Sequence, residues 1–166
     1  MATGMGEVGM MKGMRRDAVY VSTVPLRAAK GPAQLFMSAA YSFNLWSDLQ
    51  HYMVLIRPTS PPAQAVVFDF QPQDPENLYV ALAALSGRQV PGVVRMRKLA
   101  KLPTRKCWFV GFSNENGINV AHKFNDHWQT DLKIGDHDCR HYTNGLVECL
   151  TGEQHVLERL RGSRDG

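Results

Sequence analysis

Residues 136–147 have the sequence Asp-His-Asp-Cys-Arg-His-Tyr-Thr-Asn-Gly-Leu-Val, which predicts a helix that begins at a cysteine and continues to about residue 150. Asp138 suits the N-cap position, because its carboxylate can accept hydrogen bonds from backbone N–H groups two or three residues further along. Cys139 then lies in the first helical turn, where the partial positive charge of the helix N-terminus favours the thiolate. Helical spacing places four residues on one side of this helix, Cys139, Tyr142, Leu146 and Leu150. We therefore expect the sulfur to face a packed sheet.

A strand with a histidine at its head offers a base for this thiol. Residues 51–56, His-Tyr-Met-Val-Leu-Ile, are apolar and partly β-branched, which predicts a buried strand that starts at His51. A proline-rich turn separates it from a second strand at 66–70, so the two strands are expected to form a hairpin. Asp69 lies in the second strand among apolar residues, where a carboxylate needs a partner. We predict that His51 accepts the proton of Cys139 and that Asp69 orients the imidazole.

The remaining segments predict one α+β domain with a central antiparallel sheet of four or five strands packed against helices. We expect further strands at residues 18–23, 92–97 and 107–112, and further helices at 33–48, 76–85, 118–128 and 153–160. The domain is expected to cover residues 17–161. A flexible segment, 1–16, precedes it, and a charged tail, 162–166, follows it.

The composition is that of a globular protein. Apolar residues make up 44% of the chain and charged residues 20%, and no apolar run approaches the ~20 residues that cross a bilayer. Three cysteines are too few for a disulfide-stapled scaffold, so a reducing compartment, the cytosol, is expected. Residues 1–16 contain two arginines and Lys12 but a single hydroxyl residue, which leaves organellar targeting open.

Basic residues are concentrated in the middle of the chain. No acidic residue lies between Glu76 and Glu115, and this interval contains Arg88, Arg95, Arg97, Lys98, Lys101, Arg105 and Lys106. Such a segment is either a solvated face or a surface that meets an acidic partner. No zinc-finger, helix-turn-helix or aromatic RNA-binding pattern accompanies it, which argues against nucleic acid.

Two other interpretations remain open for the residues around the cysteine. A helical cysteine is commonly a small buried apolar side chain, which would explain Cys149 near the end of the same helix. Residue types that bind metal ions also cluster here, at Asp136, His137, Asp138, Cys139 and His141, with His127 upstream. A helix that starts at Cys139 would point the alternating ligands in different directions. We therefore predict no metal site and no cofactor.

The order of these pieces resembles the permuted papain-like thiol hydrolases, the group that contains lecithin:retinol acyltransferase-like proteins and the desumoylating isopeptidases. Those families place a catalytic histidine at the head of an early strand and a nucleophilic cysteine late, in a motif of the form Asn-Cys-x-His-Phe. The corresponding residues here are His51 and the run Asp-Cys-Arg-His-Tyr at 138–142, and the resemblance covers residues 51–152. Two positions depart from the pattern. Asp138 replaces the asparagine, and Asp69 stands where the acyltransferase branch has a second histidine.

The resemblance implies a thiol hydrolase or acyltransferase that acts on an amide, isopeptide or ester bond through a cysteine acyl-enzyme. Cys139 would be the nucleophile and His51 the base, with the backbone N–H of Cys139 helping to hold the oxyanion. We expect substrate contacts from four further residues, His141, Tyr142, Arg95 and Arg97. The expected substrate is a protein or lipid, including acidic ones. The alternative is a non-catalytic interaction module with the same fold, which binds an acidic partner through the basic segment.

Overall fold

A computed structural model describes residues 16–25, 50–61 and 64–163. Within these residues the strands are β1 (Ala18–Pro25), β2 (Gln50–Arg57), β3 (Ala65–Pro72), β4 (Val90–Leu99), β5 (Cys107–Phe112) and β6 (Asp131–Leu132). The helices are α1 (Leu78–Leu85), α2 (Gly117–His127), α3 (Cys139–Thr151) and α4 (Val156–Gly162). The strands form one antiparallel sheet in the order β5–β1–β2–β3–β4–β6.

The predicted α+β class and antiparallel hairpin of β2 and β3 are confirmed. The sheet has six strands in the described part of the chain rather than four or five, because β6 pairs with the start of β4 over two residues, too few to leave a periodic pattern. The helix predicted for 33–48 and nearly all of the segment 1–16 lie outside the described residues. No helix among residues 16–25, 50–61 and 64–163 is long and apolar enough to cross a membrane.

The central strand β2 is buried on both faces of the sheet. Its residues from His51 to Ile56 are all buried, which explains the unbroken apolar run in the sequence. Helix α3 covers one face, where Tyr142, Leu146 and Leu150 are at most 1% exposed. The opposite face carries a second, smaller apolar cluster of Met53, Leu55 and Val67. The sheet therefore holds β2 in a fixed position against the first turns of α3.

Polar residues fix where the helices begin and how they join the sheet. Asp138 caps α3, and Gly152 ends it in the left-handed conformation that favours glycine. Asp17 is 9% exposed, and its carboxylate accepts hydrogen bonds from the backbone N–H of Gly117 at the start of α2 and of Thr59 after β2. Because these bonds join segments far apart in sequence, they lock the loops around the core.

Candidate active site

The imidazole of His51 is held by Asp69 between β2 and β3. Nε2 of His51 lies 2.8 Å from Oδ2 of Asp69, and the residues are 9% and 5% exposed. Backbone pairing between these strands covers three residue pairs and ends at Val54 with Phe68. The side-chain bond therefore joins the strands beyond the end of their ladder. It fixes the orientation of the ring and leaves Nδ1 for a second group.

Cys139 approaches His51 from the first turn of α3. This half-buried residue lies close enough to the imidazole to raise its pKa. The sulfur also lies 3.7 Å from the carbonyl oxygen of Gln50, the residue before His51 in β2. The thiol therefore donates a hydrogen bond to a backbone carbonyl at the start of β2, beside the imidazole that Asp69 orients.

The surroundings of His51 favour its protonated form. Burial lowers the pKa of His51, but the hydrogen bond to Asp69 and the interactions with the nearby Cys139 side chain, together with the charge of Asp69, raise it from 6.5 to about 9. An imidazolium at neutral pH stabilises an ionised sulfur beside it. The arrangement therefore suits a thiolate–imidazolium pair.

The carboxylate of Asp138 is engaged by groups other than the thiol. It is 5% exposed, and its oxygens accept hydrogen bonds from the backbone N–H of Arg140 at 2.9 Å and of Gly135 at 2.8 Å. The guanidinium of Arg140 lies 3.1 Å from Oδ2. Burial raises the pKa of Asp138, but the hydrogen bonds from Arg140 and Gly135 outweigh burial and lower it. Its charge is therefore balanced within the helix cap.

Arg95 and Arg97, two of the predicted substrate-binding residues, are exposed on β4. Arg95 is directly opposite Asp69 in the β3–β4 ladder, and a nitrogen of Arg97 lies 3.4 Å from the sulfur of Met53. Because alternate residues of a strand share a face, both arginines lie on the same face of the sheet as Asp69. They give this side of the site a positive charge.

His141 and Tyr142, the other two predicted substrate-binding residues, differ in their accessibility. His141 is exposed, and its Nδ1 lies 3.0 Å from Oδ1 of Asp138. Tyr142 is 0% exposed, and its hydroxyl donates a hydrogen bond of 2.7 Å to Asn125. Burial raises the pKa of Tyr142 well above its ordinary value. The prediction for Tyr142 is wrong, because this side chain belongs to the core beneath α3.

Comparison with protein-family models, curated proteins and solved structures finds no match. The chemistry of the site must therefore be argued from its side chains. A thiol, an imidazole and a carboxylate in this order are the groups of a cysteine nucleophile, its base and the residue that orients the base.

The metal alternative is not supported by the geometry. Among residues 16–25, 50–61 and 64–163, no three His, Cys, Asp or Glu side chains are grouped so that they could hold a metal ion. His137 instead stacks on Trp128, with ring centroids 4.2 Å apart, and its Nε2 lies 2.7 Å from the carbonyl oxygen of Gln129. The interpretation of Cys149 as a buried side chain is also wrong, because Cys149 is exposed.

Sequence reasoning missed two neighbours of the reacting groups. Tyr52 follows His51 in β2, and Arg140 follows Cys139 in α3. The Asp138 carboxylate raises the pKa of Arg140, and the charges of Cys139 and Tyr52 add smaller effects in the same direction. The guanidinium is therefore within electrostatic reach of both. Adjacency to a predicted catalytic residue is the signal that would have identified them.

Proposed function

We propose that this protein is a thiol hydrolase in which Cys139 attacks an amide, isopeptide or ester carbonyl. The observation that carries the proposal is the 2.8 Å bond between His51 and Asp69, with Cys139 close enough to the same ring to raise its pKa. The raised pKa of His51, about 9, supports an imidazolium at neutral pH. Such an ion pair supplies a nucleophile and a proton donor together.

The reaction begins when the Cys139 thiolate attacks the carbonyl carbon of the substrate. The carbonyl oxygen becomes an oxyanion, which accepts a hydrogen bond from the backbone N–H of Cys139 at the start of α3. The C–N or C–O bond then breaks, and the imidazolium of His51 gives its proton to the leaving amine or alcohol. A thioester on Cys139 and a neutral imidazole result.

The second half of the reaction returns the site to its starting state. Water attacks the thioester while His51 accepts one of the water protons, and the acid product leaves as the C–S bond breaks. Another hydroxyl or amine acceptor in place of water would make the protein an acyltransferase. Asp69 holds the ring orientation through both halves, because its bond to Nε2 is present whether Nδ1 is protonated or not.

The proposed fold is that of the permuted papain-like enzymes. Its support is the order of the elements: an early strand, β2, carries the histidine, and a late helix, α3, begins at the cysteine. The antiparallel sheet between them brings the two residues together although they are 88 positions apart in the chain. Arg95 and Arg97 would recruit an acidic protein or lipid headgroup to the exposed side of β4.

Alkylation by iodoacetamide tests the proposal. At about pH 6 fewer than ~1% of ordinary thiols are ionised, so we expect Cys139 to be labelled at least about tenfold faster than Cys149. Cys149 is the matched reference because it is the more exposed of the two thiols and lies on the same helix. Burial raises the pKa of Cys107, which should therefore react most slowly.

A His51→Ala variant identifies the cause of the fast labelling. We expect the rate at Cys139 to fall to that of Cys149, and p-nitrophenyl acetate to acetylate Cys139 in the native protein but not in this variant. Labelling of native Cys139 no faster than of Cys149, without acetylation, would leave the interaction module as the better account.

A further inference from the structure

A pocket of about 240 Å³ opens between α3 and α4, with residues from the first turn of α3 in its wall. The side chains that matter in this α3–α4 pocket are Tyr52, Arg140, His141, Asn144, Glu158 and Arg161. Two of them are the chain neighbours of the reacting residues, since Tyr52 follows His51 and Arg140 follows Cys139. The charge of Cys139 also acts on the Arg140 guanidinium, so an anion bound by Arg140 in this pocket lies within electrostatic reach of the sulfur.

The hydroxyl of Tyr52 shows that the pocket is equipped for a polar ligand. Tyr52 is 9% exposed, and its ring packs with the core cluster beneath α3. Its hydroxyl makes no hydrogen bond to another group in the described part of the chain, yet this side chain lines the α3–α4 pocket. The hydroxyl is therefore free to donate a hydrogen bond to a group that binds in the pocket.

Two guanidinium groups line the pocket. One nitrogen of Arg140 contacts Asp138, which leaves other N–H donors of the same group available. Arg161 makes no ion pair with any of the described residues. The planar N–H donors of these two groups match the geometry of an oxyanion.

Glu158 limits which anion fits. Its two carboxylate oxygens lie 3.4 and 3.3 Å from the side-chain nitrogen of Asn144. The oxygen of Asn144 in turn accepts a hydrogen bond from the backbone N–H of Leu157, which fixes α4 against α3. Asp138 and Glu158 together offset the two guanidinium charges, so no excess positive charge remains to stabilise a doubly charged phosphate. A singly charged carboxylate held through N–H donors fits this lining better.

From these contacts we infer that the α3–α4 pocket is a subsite for a carboxylate group of the substrate, held by Tyr52, Arg140 and Arg161. This inference rests on the proposed thiol hydrolase, and it narrows the substrate class to amides, isopeptides or esters that carry a free carboxylate near the bond to be cleaved. Peptides with an acidic residue or a C-terminal carboxylate at that position belong to this class.

Matched alkylating probes test the subsite. N-Iodoacetyl-glycine ends in a carboxylate, and N-iodoacetyl-glycinamide is its neutral counterpart with the same reactive carbon. The quantity measured is the ratio of the two labelling rates at Cys139, followed by mass spectrometry, with Cys149 as the internal reference. A charge-assisted contact makes this ratio about tenfold higher at Cys139 than at Cys149.

Variants of the pocket residues test whether the pocket causes the preference of Cys139 for the carboxylate probe. The ratio at Cys139 should fall severalfold in Arg161→Gln and in Tyr52→Phe. Arg159→Gln is the control, because it removes the same charge from α4 at a residue that instead pairs with Glu153. It should leave the ratio unchanged. Equal ratios at Cys139 and Cys149, or a preference that survives both pocket variants, would overturn the inference.

The design separates this inference from the proposed function. Because both probes react with the same sulfur, their ratio reports the pocket even when labelling is slow, whereas the absolute rate reports the thiolate–imidazolium pair. A fast Cys139 without charge preference would remove the subsite and keep the hydrolase. A third probe ending in a phosphonate should react more slowly than the carboxylate probe, and the reverse order would contradict the choice of carboxylate.

Discussion

Replacing Asp69 by asparagine separates the charge of this residue from its shape. The asparagine oxygen can still accept a hydrogen bond from Nε2 of His51, which lies 2.8 Å from the Asp69 oxygen in the native protein. The negative charge, however, is lost. Because Asp69 is 5% exposed, its interaction with the imidazole is weakly screened by solvent, and the substitution should have a large effect.

The size of that effect follows from the pKa of His51. A rise from 6.5 to about 9 is a difference of about 2.5 units, which corresponds to roughly 3 kcal/mol of preference for the imidazolium. Burial opposes this preference, and Asp69 and Cys139 together produce it. Among the causes that raise this pKa, the hydrogen bond to Asp69 comes first and the charge of Asp69 comes last. Asp69→Asn removes that charge and leaves a weaker, neutral hydrogen bond, so we expect the labelling rate of Cys139 near neutral pH to fall severalfold, by less than about tenfold.

The folded protein should show the same effect in its stability. A raised folded pKa means that the stabilisation by protonated His51 is fully present below pH 6.5 and is lost as the pH rises through about 9. The native protein should therefore lose up to roughly 3 kcal/mol of unfolding free energy from this group across that window. Asp69→Asn should lose less, and over a lower pH range.

The assay is the iodoacetamide labelling rate of Cys139 as a function of pH, paired with urea unfolding at the two ends of the window. Asp131→Asn is the matched control, because it removes an exposed carboxylate from β6. An Asp69→Asn protein that folds normally and labels Cys139 with the native pH profile would refute the role given to this carboxylate.

Two further substitutions test the local structure that supports the site. Asp138→Ala should destabilise the fold by about 1 kcal/mol in urea unfolding, because the N-cap of α3 is lost. Asp138→Asn should recover most of this stability, because asparagine can also cap a helix. Equal losses of stability in the two variants would contradict the capping role. Gly92→Ala should lower the free energy of unfolding by about 1–3 kcal/mol. A Cβ at this position would lie 2.6 Å from the Thr130 carbonyl oxygen and 2.7 Å from the Phe70 ring. Gly162→Ala is the control, because nothing lies within 4 Å of a Cβ at Gly162. A Gly92→Ala protein as stable as Gly162→Ala would contradict the close contact.

The helix that carries the sulfur could be predicted because its signals are local. Asp138 lies at the N-cap and Gly152 at the left-handed C-cap, and the apolar spacing between them defines the buried side. The same spacing places Tyr142 on that side, so its burial could be predicted from helical geometry. The expectation that Tyr142 contacts the substrate came with the motif resemblance, which was the weaker guide. Cys149 lies nearer the edge of the buried stripe, where the packing of α2 decides its exposure.

The contact between His51 and Asp69 could be predicted because the two residues lie in strands that were expected to form a hairpin. The remaining features depend on contacts between distant segments. The pairing of β6 with β4 covers two residues, and the α3–α4 pocket depends on how Asn144 ties α4 to α3. Neither leaves a periodic pattern, because both arise from tertiary packing.

The central claim is that His51, beside Cys139, is an imidazolium at neutral pH. Nitrogen-15 NMR of the labelled imidazole measures this directly. We predict that His51 is protonated at neutral pH and titrates near pH 9, and that Cys139→Ser lowers its titration point. A neutral His51 at pH 7, with a titration that does not respond to Cys139→Ser, would contradict the ion pair and the hydrolase proposed from it.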